Sequence, residues 1–155
     1  MKLTDFLTEK NIMIGIDGNR KDEIIGKLVE IAHSVYPEID KDAVMNGILE
    51  REKLCSTGIG RNVAIPHAGI DGCSEILPVL AINEKGVKYD SIDGKSVKIF
   101  FMIIYPKKYI KTQLQFLARV SRLLRNDCLR ESLIKSSSPK EVMRILNEYE
   151  SEHFS

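Results

Sequence analysis

Val97-Lys98-Ile99-Phe100-Phe101-Met102-Ile103-Ile104-Tyr105 is apolar at every position except Lys98. A short run without alternating polar positions reads as a strand covered on both faces. Two shorter runs precede it, Val63 to Ile65 and Ile76 to Ile82, and Asp93-Gly94 supplies a turn between the second run and the third. Covered faces require helices, and the flanking sequence provides them. Ile24, Ile25, Leu28, Ile31, Ala32 and Val35 recur at helical spacing after Asn19, with Pro37 just beyond; Asp40 then caps a second helix carrying Val44, Ile48 and Leu49 to about Glu52. Downstream, Leu114, Leu117, Ala118 and Leu124 define a third helix with this face toward the core. Leu129, Leu133 and Ile134 give a fourth after Asn126-Asp127. Ser138-Pro139-Lys140-Glu141 is a capping box opening a fifth, with Val142, Ile145, Leu146 and Tyr149 inside. At the amino end Thr4 caps a short helix to about Glu9, Asn11 to Ile16 alternates as a strand closed by Asp17-Gly18, and Cys55 to Asn62 reads as a loop. This order predicts an α/β fold, a small mixed sheet covered by helices on both faces, in one domain over residues 1–155.

Composition narrows the function. At 43% hydrophobic, 155 residues can build a core without metal or disulfide staples. The near-balance of 23 Lys+Arg against 22 Asp+Glu leaves no polybasic footprint, and with aromatics at 6% and no Trp the stacking platforms of single-strand binders are missing, so no nucleic-acid partner is expected. No apolar run approaches the roughly 20 residues of a membrane span. Met1-Lys2-Leu3-Thr4-Asp5 has no signal-peptide core, so a cytoplasmic location without membrane insertion is expected. Cys55, Cys73 and Cys128 are widely spaced and form no Cys-x-x-Cys pair, which argues against a disulfide framework and a structural zinc.

The chemistry concentrates between Arg51 and Gly69: Arg51-Glu52, then Ser56-Thr57-Gly58-Ile59-Gly60, then Ala64-Ile65-Pro66-His67-Ala68-Gly69. Neutral imidazole is a competent nucleophile near pH 7 and can take a phosphoryl group on one nitrogen while the other is held by a backbone carbonyl. Pro66, with a fixed φ and no N–H, ends the strand and sets where the His67 ring projects. Arg51 offers a planar fork for phosphoryl oxygens, and Ser56, Thr57 and Gly58 can donate hydroxyls and amides to an anion. Each element has a plain reading beside the functional one: a histidine at a turn, a solvated arginine ending a helix, a glycine loop lacking the lysine of a P-loop. His33 and His153 read as solvated, Lys107-Lys108 with Lys111 as an exposed helix start able to meet an acidic partner, and Cys55 and Cys73 beside His67 as a thiol or metal alternative.

Taken together, Arg51-Glu52-x-x-x-Ser56-Thr57-Gly58-Ile59-Gly60 followed by Ala64-Ile65-Pro66-His67 resembles the signature of the enzyme IIA domain of the bacterial phosphoenolpyruvate-dependent sugar phosphotransferase system, fructose/mannitol superfamily. Leu77-Pro78, Gly86-Val87, Val97 to Pro106 and Gln113-Leu114-Gln115-Phe116-Leu117-Ala118 resemble its later blocks, so the likeness runs from Leu3 to Tyr149. The resemblance implies a three-layer α/β/α domain. It also implies that His67 accepts a phosphoryl group from the histidine phosphocarrier protein and passes it to a IIB cysteine, with Arg51 as active-site arginine and no metal or cofactor. A second active-site histidine of most members is here Gln113, which donates an amide N–H but brings no charge. Galactitol-like members share that glutamine, and freestanding nitrogen-regulatory-like relatives signal by binding regulatory targets. A regulatory binding module is therefore the alternative function. No segment reads as IIB, IIC or helix-turn-helix, so partners are expected on separate chains.

Overall fold

The computed structural model describes residues 2–153; Met1, Phe154 and Ser155, which the one-domain expectation includes, lie outside the described residues. Strand β6 (Val97–Pro106) is the run that reads as doubly covered, and it lies inside a six-stranded sheet. Its side chains alternate between two cores: Phe100, Met102 and Ile104 enter one, Ile99, Phe101 and Ile103 the other. Strand β5 (Leu77–Val87) pairs antiparallel with it and divides the same way, Val79 and Ala81 to one face, Leu80 and Ile82 to the opposite one. Because both parities of the pleat are apolar, the alternation of a half-wet strand is erased from the sequence. Each such buried side chain contributes about 1.5–3 kcal/mol relative to exposure.

Strand β1 (Ile12–Ile14) extends the sheet parallel to β5. The far edge of β6 is shared by β3 (Val63–Ala64), parallel to Ile99 and Phe100, and β4 (His67–Ile70), parallel to Ile103 through Pro106. Strand β2 (Gly58–Gly60) returns antiparallel on β3. Helices α1 (Lys21–Val35) and α2 (Lys41–Leu54) cover one face; α3 (Ile110–Leu123), α4 (Asp127–Lys135) and α5 (Pro139–His153) cover the other. The architecture is the expected three-layer α/β/α arrangement with a mixed sheet.

Several local expectations are corrected. Thr4 caps no helix: the amino end forms two 3-10 turns, Leu3–Asp5 and Glu9–Asn11, and it is Thr8 whose hydroxyl caps the second, accepting from Lys10 N at 3.3 Å. Thr4 gives its amide and hydroxyl to Glu150 instead, each at 3.0 Å. The strand read over Asn11 to Ile16 is cut to Ile12–Ile14, since Gly15 turns at φ +80° and both Gly15 N and Ile16 N donate to the Ile82 carbonyl. The stretch read as a loop contains β2 and the turn of the β2–β3 hairpin, made by Arg61 and Asn62 at φ +57° and +67°. Two left-handed residues at the tip give the twist such tight hairpins need. Asp40 caps α2 as read, accepting from Asp42 N and Ala43 N at 3.0 and 3.2 Å. Ser138 Oγ accepts from Glu141 N at 3.1 Å, but Glu141 returns its carboxylate to Ser137, so the capping box is half made. In α3 the buried residues are Gln113, Phe116, Val120 and Leu123, whereas Leu114 is 57% exposed and Ala118 lies outside. Phe116 sets this rotation by packing edge-on to Phe6 at 5.2 Å and against Phe101 at 6.3 Å.

Candidate active site

Pro66 interrupts the edge of the sheet without breaking it. Lacking an N–H, it cannot donate to the ladder, yet its carbonyl accepts from Ile103 N at 2.9 Å, so the chain stays on β6 and restarts as β4. His67 therefore opens a strand, where the sequence reading had it at the end of one. Its ring folds back so that Nδ1 lies 2.8 Å from the Ile65 carbonyl oxygen. A carbonyl oxygen can only accept, so Nδ1 carries the proton and Nε2 keeps the lone pair. Burial lowers the imidazole pKa below its ordinary value; the Ile65 hydrogen bond opposes this, the Arg51 charge adds to it, and Glu52 opposes it. His67 is accordingly neutral at pH 7.

Above His67 lies a cleft of about 460 Å³ walled by the end of α2, the start of β4 and the first turns of α3. Arg51, His67 and Gln113 all line it. Gly47 and Arg51 are one helical turn apart on α2 and share its inward face, and a Cβ on Gly47 would stand 3.1 Å from the Ala68 Cβ. That close approach is what lays the last turn of α2 over β4 and brings Arg51 to the cleft that His67 lines. Arg51 is half-buried, and its Nη1 donates to the Cys55 carbonyl at 2.8 Å. Gln113 is 4% exposed, and its amide makes no hydrogen bond to another group among the described residues. Gln113 lines the cleft, and its amide can offer a donor and an acceptor there.

Ser56, Thr57 and Gly58 do not line this cleft. Ser56 Oγ accepts from Gly58 N at 3.0 Å, Thr57 is buried against Glu52, and Gly58 packs on Ser91, which a Cβ would meet at 2.9 Å. The anion-binding groups expected of this loop are thus turned inward. His33 is half-buried on α1, and His153 ends α5 with its ring 4.2 Å from that of Tyr149 rather than lying in a tail. Cys73 is buried with its thiol on the Glu75 carbonyl, Cys55 is exposed, and among the described residues no three His, Cys, Asp or Glu side chains gather to hold a metal. No helix among these residues is long and apolar enough to cross a membrane. Gly47, Leu54, Tyr105 and Leu117 also line the cleft and were missed in the sequence, although the spacing of Gly47, Arg51 and Leu54 on one helix face was there to be seen.

Residues 5–149 match the family model described as "Phosphoenolpyruvate-dependent sugar phosphotransferase system, EIIA 2". The chain is 34% identical over 152 residues to the PTS system fructose-specific EIIABC component of Bacillus subtilis (strain 168), an alignment that takes in 97% of this chain and 24% of that longer protein. It is 34% identical over 128 residues to the PTS system fructose-specific EIIA component of Haloferax volcanii, 83% of each chain being covered. Among solved structures, the nitrogen regulatory protein IIA-Ntr from Neisseria meningitidis superposes with a TM-score of 0.86 at 26% identity, over 93% of this chain and 98% of that one. The complex of enzyme IIAMTL with phosphorylated enzyme IIBMTL from Escherichia coli matches with a TM-score of 0.78 at 21% identity, over 92% of this chain and 97% of that one, a likeness of fold.

Proposed function

Since the chain belongs to the EIIA type 2 family of the phosphoenolpyruvate-dependent sugar phosphotransferase system, we propose that it is a cytoplasmic phosphocarrier with His67 as its transient phosphohistidine. The observation carrying this reading is the ring geometry of His67: Nδ1 tied to the Ile65 carbonyl, Nε2 free, and the whole imidazole in a cleft with Arg51 and Gln113. The Nε2 lone pair attacks the phosphorus of the donor's phosphohistidine, a P–N bond forms as the donor's P–N bond breaks, and the donor imidazole leaves neutral once protonated. In the return step a IIB thiolate attacks the same phosphorus, the new P–S bond replaces P–N, and His67 is released. Arg51 swings from the Cys55 carbonyl to the phosphoryl oxygens, and the Gln113 amide donates to one of them. The reaction requires neither nucleotide nor metal, because the donor already carries an activated phosphoryl group.

The rim suits transient docking of a donor such as the histidine phosphocarrier protein and of an acceptor IIB domain. Leu54 is 82% and Leu114 57% exposed, and both line the cleft. The likeness to a solved IIA chain in complex with its IIB partner supports the second of these partners. A regulatory module is the second reading, favoured by the match to a nitrogen regulatory protein. One experiment addresses both. Incubation with phosphoenolpyruvate, enzyme I and the phosphocarrier is expected to give an acid-labile, base-stable adduct that is lost in His67→Ala; labelling that survives the substitution overturns the assignment. Chase with a IIB domain drains the adduct in the carrier reading and leaves it on His67 in the regulatory one.

A further inference from the structure

Next to Arg51 in sequence, Glu52 faces inward, its side chain only 5% exposed. Four donors converge on its carboxylate: Lys21 Nζ at 2.9 Å, Thr57 N at 3.2 Å, Tyr89 Oη at 3.1 Å, and the Thr57 hydroxyl. A carboxylate that merely tied α1 to α2 would need Lys21 alone. Here two of the donors belong to one residue of the turn after α2.

That residue is a junction. The Thr57 carbonyl accepts from Ile65 N at 2.9 Å, and the Ile65 carbonyl in turn orients His67 through Nδ1 at 2.8 Å. In the other direction the same turn carries Cys55, whose carbonyl holds Arg51 Nη1 at 2.8 Å. Two hydrogen-bonded branches leave the clamped turn, and they end on the nucleophile and on the cation of the cleft.

We propose that Glu52 is a positioning residue for phosphoryl transfer: by gripping Thr57 it sets both the tautomer and aim of the His67 ring and the resting place of the Arg51 guanidinium. The inference rests on the phosphocarrier reading and deepens it. It also gives Thr57 a task different from contact with the anion, consistent with its burial at 3% exposure outside the cleft. Displacement of reacting groups by about 1 Å is enough to cost up to about a hundredfold in rate.

The test compares wild type with Glu52→Gln, Thr57→Val, Thr57→Ser and Tyr89→Phe, reading single-turnover acceptance of the phosphoryl group together with the ¹⁵N shifts of the His67 ring. Thr57→Val and Glu52→Gln are expected to slow acceptance by about tenfold or more and to mix the two imidazole tautomers. Thr57→Ser, which keeps the hydroxyl, restores both. Tyr89→Phe takes one donor from the same carboxylate, and with it a 3.3 Å contact to the Thr57 hydroxyl, but leaves both Thr57 donors on Glu52; it retains the wild-type tautomer with a rate within about twofold. Should Glu52→Gln fail to fold, Thr57→Val carries the comparison. Wild-type tautomer and rate in Thr57→Val overturn the proposal, as does an equal loss in Tyr89→Phe. Failure to label wild type overturns the phosphocarrier reading instead, while the ring shifts still decide the positioning.

Discussion

In the proposed reaction His67 has to combine two requirements that usually conflict, a ring buried enough to be dry and a nitrogen open enough to attack. Anchoring Nδ1 on the Ile65 carbonyl reconciles them, because the buried nitrogen is satisfied and the one facing the cleft is spared. Below its folded pKa the imidazolium has no lone pair, so acceptance must fall as pH drops. Burial lowers that pKa, and the acid limb of the rate profile is expected to have its midpoint below the ordinary histidine value of about 6.5; a midpoint above it, in single-turnover assays from pH 5 to 8, would contradict the burial argument. Gln113 makes a second test at this scale. Gln113→Leu removes a donor from a charged group and is expected to slow transfer by no more than about 1.5–3 kcal/mol. Gln113→His, measured beside it, retains transfer. Equal rates in all three proteins would leave His67 and Arg51 to act alone.

Helix α2 brings Arg51 to the cleft, and its placement depends on a residue with no side chain. Gly47 lies on the same face one turn earlier, and the space above Ala68 leaves little room for a Cβ. Gly47→Val is expected to push α2 off β4 at an overpacking cost of about 1–3 kcal/mol. Urea melts should record that loss, and phosphoryl acceptance should fall further than stability alone explains, since Arg51 moves with the helix. Unchanged transfer in a destabilised but folded variant would separate α2 placement from the chemistry. Helix α3 teaches a related lesson. Its leucine spacing points Leu114 inward, yet Phe116 takes the core and leaves Leu114 on the rim. A helix with two apolar stripes has two admissible rotations, and only the aromatic partners Phe6 and Phe101 choose between them.

Across the whole molecule, the two ends of the chain are tied by a fully buried carboxylate. Glu150 on α5 accepts from Leu3 N at 2.8 Å and from Thr4 N and Thr4 Oγ1 at 3.0 Å each, and pairs with Arg119 Nε at 3.2 Å. Glu150→Ala strips charge from a buried pair and is expected to destabilise by about 3 kcal/mol or more, visible as a lower urea midpoint. The folded fraction should still accept phosphate at the wild-type rate, because this network lies outside the cleft. A loss of transfer beyond the unfolded fraction would show the helical layer on that face to be coupled to the site.

The sheet was legible because burial on both faces writes itself as an unbroken apolar run, and no other short element of this fold demands that composition. That His67 and Arg51 share one cleft was legible because both lie in a single motif on one local stretch of chain, whose family resemblance marks them as a pair. Three things could not be read along the chain. The hairpin of β2 was hidden by its glycines, which resemble a loop until β3 pairs with them. The inward turn of Ser56, Thr57 and Gly58 depends on Lys21 and Tyr89, each more than thirty positions from Glu52 or Thr57. The rotation of α3, which buries Gln113 and leaves Leu114 on the rim, awaits packing on the amino-terminal turns. Local composition encodes which residues can be buried or can react; which way a polar group faces is a contest among partners that only long-range packing brings together.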